Sequence, residues 1–112
     1  MANEDTQRRV ERALGNRPGL STGQDTVATA GTAVALNGGT SEPIPDGAVL
    51  AVRANSDNST PVYVGDDTVD SSSGFELTAG DGLNIRTTDV AAVYVDAETS
   101  GDGVSWAVEV DA

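Results

Sequence analysis

The chain has no cysteine, no histidine and no lysine, and among its 112 residues are only one tryptophan, one phenylalanine and two tyrosines. Each absence removes a class of chemistry. Without cysteine there is neither a disulfide framework nor a thiol nucleophile. Without histidine a Ser-His-Asp triad is impossible, and with both residues missing so is a conventional zinc site. Without lysine, Schiff-base chemistry and the phosphate-gripping lysine of a P-loop are excluded. No GxGxxG stands between a strand and a helix pattern. What remains is carboxylate chemistry of the kind glycosidases use, which needs two acids held across a sugar-sized cleft. One small domain of small side chains is a poor scaffold for such a cleft, so the chain reads as a protein that is not an enzyme and uses no cofactor. Long apolar runs are also missing. The longest, Val90 to Val95, falls far short of the roughly 20 residues of a membrane-spanning helix. The opening MANEDTQRR has no apolar h-region, so synthesis and first residence are expected in the cytoplasm.

What the chain has in excess is negative charge. Twelve Asp and six Glu stand against six Arg, a formal charge of −12. Its apolar residues are mostly small, with 15 Ala and 14 Val. Such a charge strains the compact state by self-repulsion. Strong salt relieves that strain, because the Debye length falls from about 10 Å at 0.1 M to about 3 Å at 1 M. Salting-out ions also strengthen apolar burial, so a light core suffices. These features fit a salt-in halophile; an acidic mesophilic or partly disordered domain is the plainer alternative, and the strand patterns below argue against disorder.

The charge is unevenly distributed. Residues 1–20 hold four arginines and three acids, a net +1, whereas residues 21–112 hold two arginines and fifteen acids, a net −13. The sequence therefore divides into a basic N-terminal arm, 1–20, and an acidic β-domain, 21–112. Within the arm, residues 4–14 contain good helix formers and no Gly or Pro. Asn3 or Asp5 caps the start, and Gly15 and Pro18 stop it. Val10, Ala13 and Leu14 form one narrow apolar stripe. A helix of about three turns with one stripe is marginal alone, so it needs a partner surface. The partner-binding candidates are Arg8, Arg9, Val10, Arg12, Ala13, Leu14 and Arg17; a frayed tail is the alternative. The acidic body repels duplexes, so nucleic acid is not expected as a partner.

After the RPGLSTGQD linker the pattern becomes period 2, with strands expected at Thr26–Ala30 and Thr32–Leu36. Ala48–Ala54 is nearly all apolar and is expected to be central. Val62–Val64 is a short strand. Phe75–Leu77 and Leu83–Arg86 flank AGDG and read as a hairpin. Val90–Val95 and Val104–Val110, joined by DAETSGDG, read as a second one. In the last strand Val104, Trp106, Val108 and Val110 alternate with Ser105, Ala107 and Glu109, one buried face and one wet. VYVGDDT at 62–68 echoes VYVDAET at 93–99, as two similar inner strands would. Seven to eight short antiparallel strands with regular turn signals indicate an all-β fold, a single β-sandwich or jelly roll, preceded by the short helix or arm.

Asp66, Asp67 and Asp70, with Asp57 and Asn58 nearby, offer the oxygens that Ca²⁺ or Mg²⁺ accepts, but not at EF-hand spacing. A solvated acidic face is the simpler reading, and no metal site is assigned. Trp106, Phe75, Tyr63 and Tyr94 read as core or sheet-face residues, with an aromatic sugar platform as the rival.

The segments VATAGTAVAL, PVYVGDDTV, SSSGFELTAGDGLNI and VYVDAETSGDGVSWAVEV, spanning about residues 27–110, resemble small virion structural proteins of tailed phages and archaeal tailed viruses. The shared features are glycine turns between strands in a fixed order. The resemblance implies a compact β-domain on capsid or tail, forming homo-oligomers of three to six copies. It also implies an N-terminal segment gripping another virion protein such as the major capsid protein. With the acidity it implies a virus of haloarchaea, a virion location, assembly in the host cytoplasm and no membrane partner. Capsid decoration, turret and tail fitting remain equally open. A carbohydrate- or cell-surface-recognition module is the alternative function, and a carboxylate hydrolase the third.

Overall fold

Valine at every second position draws the C-terminal segment into a long strand, and that strand organises one of two sheets. The computed structural model describes residues 18–111. Its strands are β1 (Pro18–Thr26), β2 (Val34–Ala35), β3 (Leu50–Ala54), β4 (Val62–Gly65), β5 (Phe75–Leu77), β6 (Gly82–Ile85), β7 (Tyr94–Ala97) and β8 (Gly103–Asp111). One sheet has the order β1-β8-β3-β6 and the other β2-β7-β4-β5, with every pairing antiparallel. Hence β1 pairs with β8, β2 with β7, β3 with β6 and β4 with β5. The chain is one long hairpin rolled over on itself, which is the eight-stranded jelly roll.

Leu50, Val52, Ala54, Val104, Trp106 and Val108 from one sheet meet Val62, Val64, Leu77, Val95 and Ala97 from the other, all buried. Burying each Val or Leu contributes roughly 1.5–3 kcal/mol. Trp106 is the one aromatic of this core among the described residues. Its indole lies over Gly23, its cross-strand partner on β1, where a Cβ would come within 2.6 Å of the ring. The indole N–H donates to Asp25 Oδ2 at 2.9 Å. Asp25 also accepts from the backbone N–H of Asn37 and Gly38, at 2.8 and 3.1 Å. Those two residues are left-handed, with φ of 59° and 60°, so successive N–H groups converge on the carboxylate.

Several expectations are corrected. Residues 18–25 are not a linker: they form most of β1. Its inward positions are Gly19, Ser21, Gly23 and Asp25, so no apolar alternation marks it. Val27 to Ala33 turn instead of extending, and β2 is two residues long before a 3₁₀ turn at Leu36–Gly39. Val90–Ala92 is a second 3₁₀ turn. The Asp89 side chain accepts from Ala91 N at 2.9 Å and Glu42 N at 3.0 Å, which favours a turn there over a strand. Neither expected hairpin pairs. β5 and β6 lie in different sheets, as do β7 and β8, because a glycine turn that crosses a sandwich uses the same residues as one that closes a hairpin. The central placement of β3, the alternation in β8 and the inner pair behind the VYV echo all hold; β4 and β7 are neighbours. The expected helix at 4–14 lies outside the described residues.

Candidate assembly surface

The two outer faces of the sandwich differ, and the difference begins with loops. On the β2-β7-β4-β5 sheet the outward Asp96 and Tyr63 of the two inner strands are covered, while Glu76 on the edge strand is exposed. Asp96 is 2% exposed because the turn after β1 lies over it, with Gly31 N donating to Asp96 Oδ1 at 3.0 Å. Tyr63 is likewise buried. The loop after β4 packs on it so closely that a Cβ at Gly74 would come within 2.5 Å of Tyr63 Cβ. Two Asx turns shape this loop. Asp66 Oδ1 accepts from Thr68 N and Oγ1 at 2.9 and 2.6 Å. Asp70 Oδ1 accepts from Ser72 N, Ser72 Oγ and Ser73 N at 2.9, 2.7 and 3.0 Å. Hydrogen bonds from the hydroxyls first, and then from the backbone, hold both carboxyls below the usual range. Asp66 and Asp70, weighed above as oxygen ligands, are thus turn-formers. Among the described residues no cluster of three or more acids is arranged to hold a metal. The Tyr63 hydroxyl donates to Glu98 at 2.5 Å, and this bond, aided by burial, pushes its pKa up to about 12.

The β1-β8-β3-β6 sheet has no such cover. Register places its outward residues in rows: Thr22, Ala107, Ala51 and Asn84 in one, Gln24, Ser105, Arg53 and Gly82 in the next. Neither of these two rows holds a carboxylate, although the described residues carry fifteen acids; the next outward row holds Glu109, opposite Leu20. Arg53 is exposed and makes no hydrogen bond or ion pair among the described residues. Ala51, Arg53, Gly82, Asn84, Ser105 and Ala107 line an open hollow of about 550 Å³. A more polar hollow of about 380 Å³ adjoins it, where Arg53, Gln24 and Ser105 face Asn55, Ser56 and Asp57 of the loop after β3. This loop is held down from below. Asp102 accepts from Ser59 N, Thr60 N and Thr60 Oγ1. Burial pushes the Asp102 carboxyl up, but these bonds outweigh it and hold the group below the usual range.

At the margin of this face stands β1, the edge strand, nine residues long. Its Leu20 is 71% exposed; the other large exposed apolar residue among those described, Phe75 at 58%, begins the edge strand of the opposite sheet. Trp106 and Tyr63 are both buried, so neither serves as an outer sugar platform.

The arm residues singled out above, Arg8, Arg9, Val10, Arg12, Ala13, Leu14 and Arg17, lie outside the described residues. Residues 18–20, read as the end of the arm, are the start of β1. The sequence reading did not single out these two acid-free rows. The signal was present in part, as Leu20, Thr22, Gln24 and Thr26 alternating with smaller inward residues. No protein-family model matches the chain, and comparison with curated proteins gives no match. No helix among the described residues is long and apolar enough to cross a membrane.

Proposed function

We propose that this chain is a non-enzymatic structural component of a virus particle, specifically of a haloarchaeal tailed virus. In this reading it is a homo-oligomeric capsid-surface protein, a decoration or turret, or a tail component. It attaches to another particle protein, such as the major capsid protein, through its basic N-terminal segment. The observation that carries the reading is the pairing of an eight-stranded jelly roll with one uncovered sheet face whose two central rows hold no carboxylate, on a strongly acidic body. Jelly rolls serve capsids and lectins alike, and the missing Cys, His and Lys leave little catalytic chemistry to build on. On a body of net −13, a face whose central rows lack acids is one where a protein neighbour meets little repulsion.

Because β1 starts at Pro18, the arm ends before it, and the test is a deletion of residues 2–16. The truncated protein keeps its β-type circular dichroism and is lost from particles. Placing Asp at both Val10 and Leu14 acts like the deletion, since burying even an unpaired polar group in the stripe costs about 1–3 kcal/mol per site and a charge costs more. Incorporation of the truncated protein at full occupancy moves attachment to the β-body. One observation favours glycan recognition as a second reading: the polar hollow where Gln24, Asn55 and Arg53, unpaired among the described residues, converge. Binding on a glycan array that Arg53→Ala abolishes would support it.

A further inference from the structure

A sheet edge is a row of unpaired N–H and C=O groups, and proteins blunt edges with short strands, charges, prolines or bulges. Three of the four edges here are short: β2 has two residues, β5 three and β6 four. β1 has nine, paired without a bulge from Pro18↔Asp111 to Thr26↔Gly103. At about 3.4 Å per residue it exposes an edge of about 30 Å. Its single proline is at the first position, where it interrupts nothing. Its single charge, Asp25, is spent on Trp106, Asn37 and Gly38. Among the described residues, no other segment hydrogen-bonds the backbone on the free side of β1.

We propose that a second copy of this chain adds to this edge, with β1 pairing antiparallel to its own counterpart about a two-fold axis at Thr22. The inference deepens the assembly reading above and rests on it for the expectation of a homo-oligomer. A second copy is the occupant because of charge. Two bodies of net −13 must approach through surfaces that hold few acids, and β1 itself is uncharged apart from the engaged Asp25; the acids beside it include Glu109, across from Leu20, and Glu42, which accepts from Ser21 Oγ at 2.6 Å. The contact is isologous, so one edge satisfies the other with no second site required. Centring on Thr22 pairs all nine residues, Pro18 with Thr26 of the second copy, and gives the longest ladder. It also sets exposed Leu20 beside the second copy's Gln24 on the same face and joins the acid-free Thr22 rows of the two copies. Two-fold pairing yields a dimer, or a tetramer or hexamer built from dimers.

The absence of cysteine makes the test direct. Full-length protein is measured by light scattering in 3 M KCl, and Leu20→Cys, Thr22→Cys and Gln24→Cys are oxidised separately, with Ala79→Cys in an exposed turn as control. Cysteines directly opposed across an antiparallel pair lie within disulfide range. The proposal expects an even-numbered oligomer and a disulfide-linked dimer from Thr22→Cys, formed at least tenfold faster than from the control. Circular dichroism confirms that each variant folds, and the light-scattering result needs no variant. A monomer at tens of micromolar, a trimer, or cross-linking no faster than the control overturns the proposal. The particle-assembly reading fails separately: a dimer absent from particles sinks that reading alone, and a monomer present in them sinks this one alone.

Discussion

A Cβ at position 23 would lie 2.6 Å from Trp106 Cζ2, so the largest side chain of the core occupies space that only glycine leaves. The indole in turn fixes Asp25, and Asp25 fixes the left-handed turn at Asn37 and Gly38. One contact between β1 and β8 therefore sets the path of the chain out of β2. Gly23→Val forces the indole or β1 to move and should cost about 1–3 kcal/mol, on the scale of overpacked cores. The check is urea unfolding in 3 M KCl, with near-ultraviolet circular dichroism reporting the tryptophan. Pairing Gly23→Val with Trp106→Phe should recover part of the loss, since residues in contact couple. Unchanged stability of the single variant would show that β1 does not pack as described.

At the scale of elements, carboxylates tie the loops to the sheets. Asp89 joins the segment around Glu42 to the second 3₁₀ turn, and Asp102 anchors the loop before β4. Hydrogen bonds from Ser41 first, then from Glu42 and Ala91 backbone, hold the Asp89 carboxyl below its usual range. Asp66, Asp70, Asp89 and Asp102 are all lowered. Lowered folded-state values mean stability that is present above the unfolded carboxylate pKa of about 3.9 and lost as pH falls through the folded values. In 3 M KCl, where relief of repulsion on protonation is screened, the melting point should therefore hold from pH 7 to about 5 and drop below about 4. Tyr63, raised to about 12, acts in the opposite direction: its contribution is present below pH 10 and is lost as pH rises toward 12. A melting point that rises below pH 4 in 3 M KCl would contradict the clamp account.

The same elements show how far the sequence is legible. β3 and β8 announce themselves because valine and leucine mark their inward face. β1 is silent because glycine, serine and aspartate fill its inward face, shaped by a tryptophan 83 positions away on β8. The turns after β5 and β7 carry the right residues, but whether a turn closes a hairpin or crosses to the other sheet is decided by core packing, which local sequence does not encode. The acid-free rows have the same origin, since only sheet register gathers Thr22, Gln24, Arg53 and Ser105 from three separated segments.

At the scale of the molecule, a core of valine, alanine and leucine carries a body whose fifteen acids face two arginines. Self-repulsion in such a body is held in check by screening. Melting points should fall in order through 3, 1 and 0.1 M KCl, and equal or greater stability at 0.1 M would remove the halophilic part of the reading. The central claim is that the chain is a structural part of a virus particle, and quantitative mass spectrometry of purified particles of the encoding virus tests it most directly. The account predicts many copies per particle, in a fixed small-number ratio to the major capsid or tail protein and retained through repeated purification in molar salt. Absence from the particles, or only traces that decline with each purification step, would contradict it.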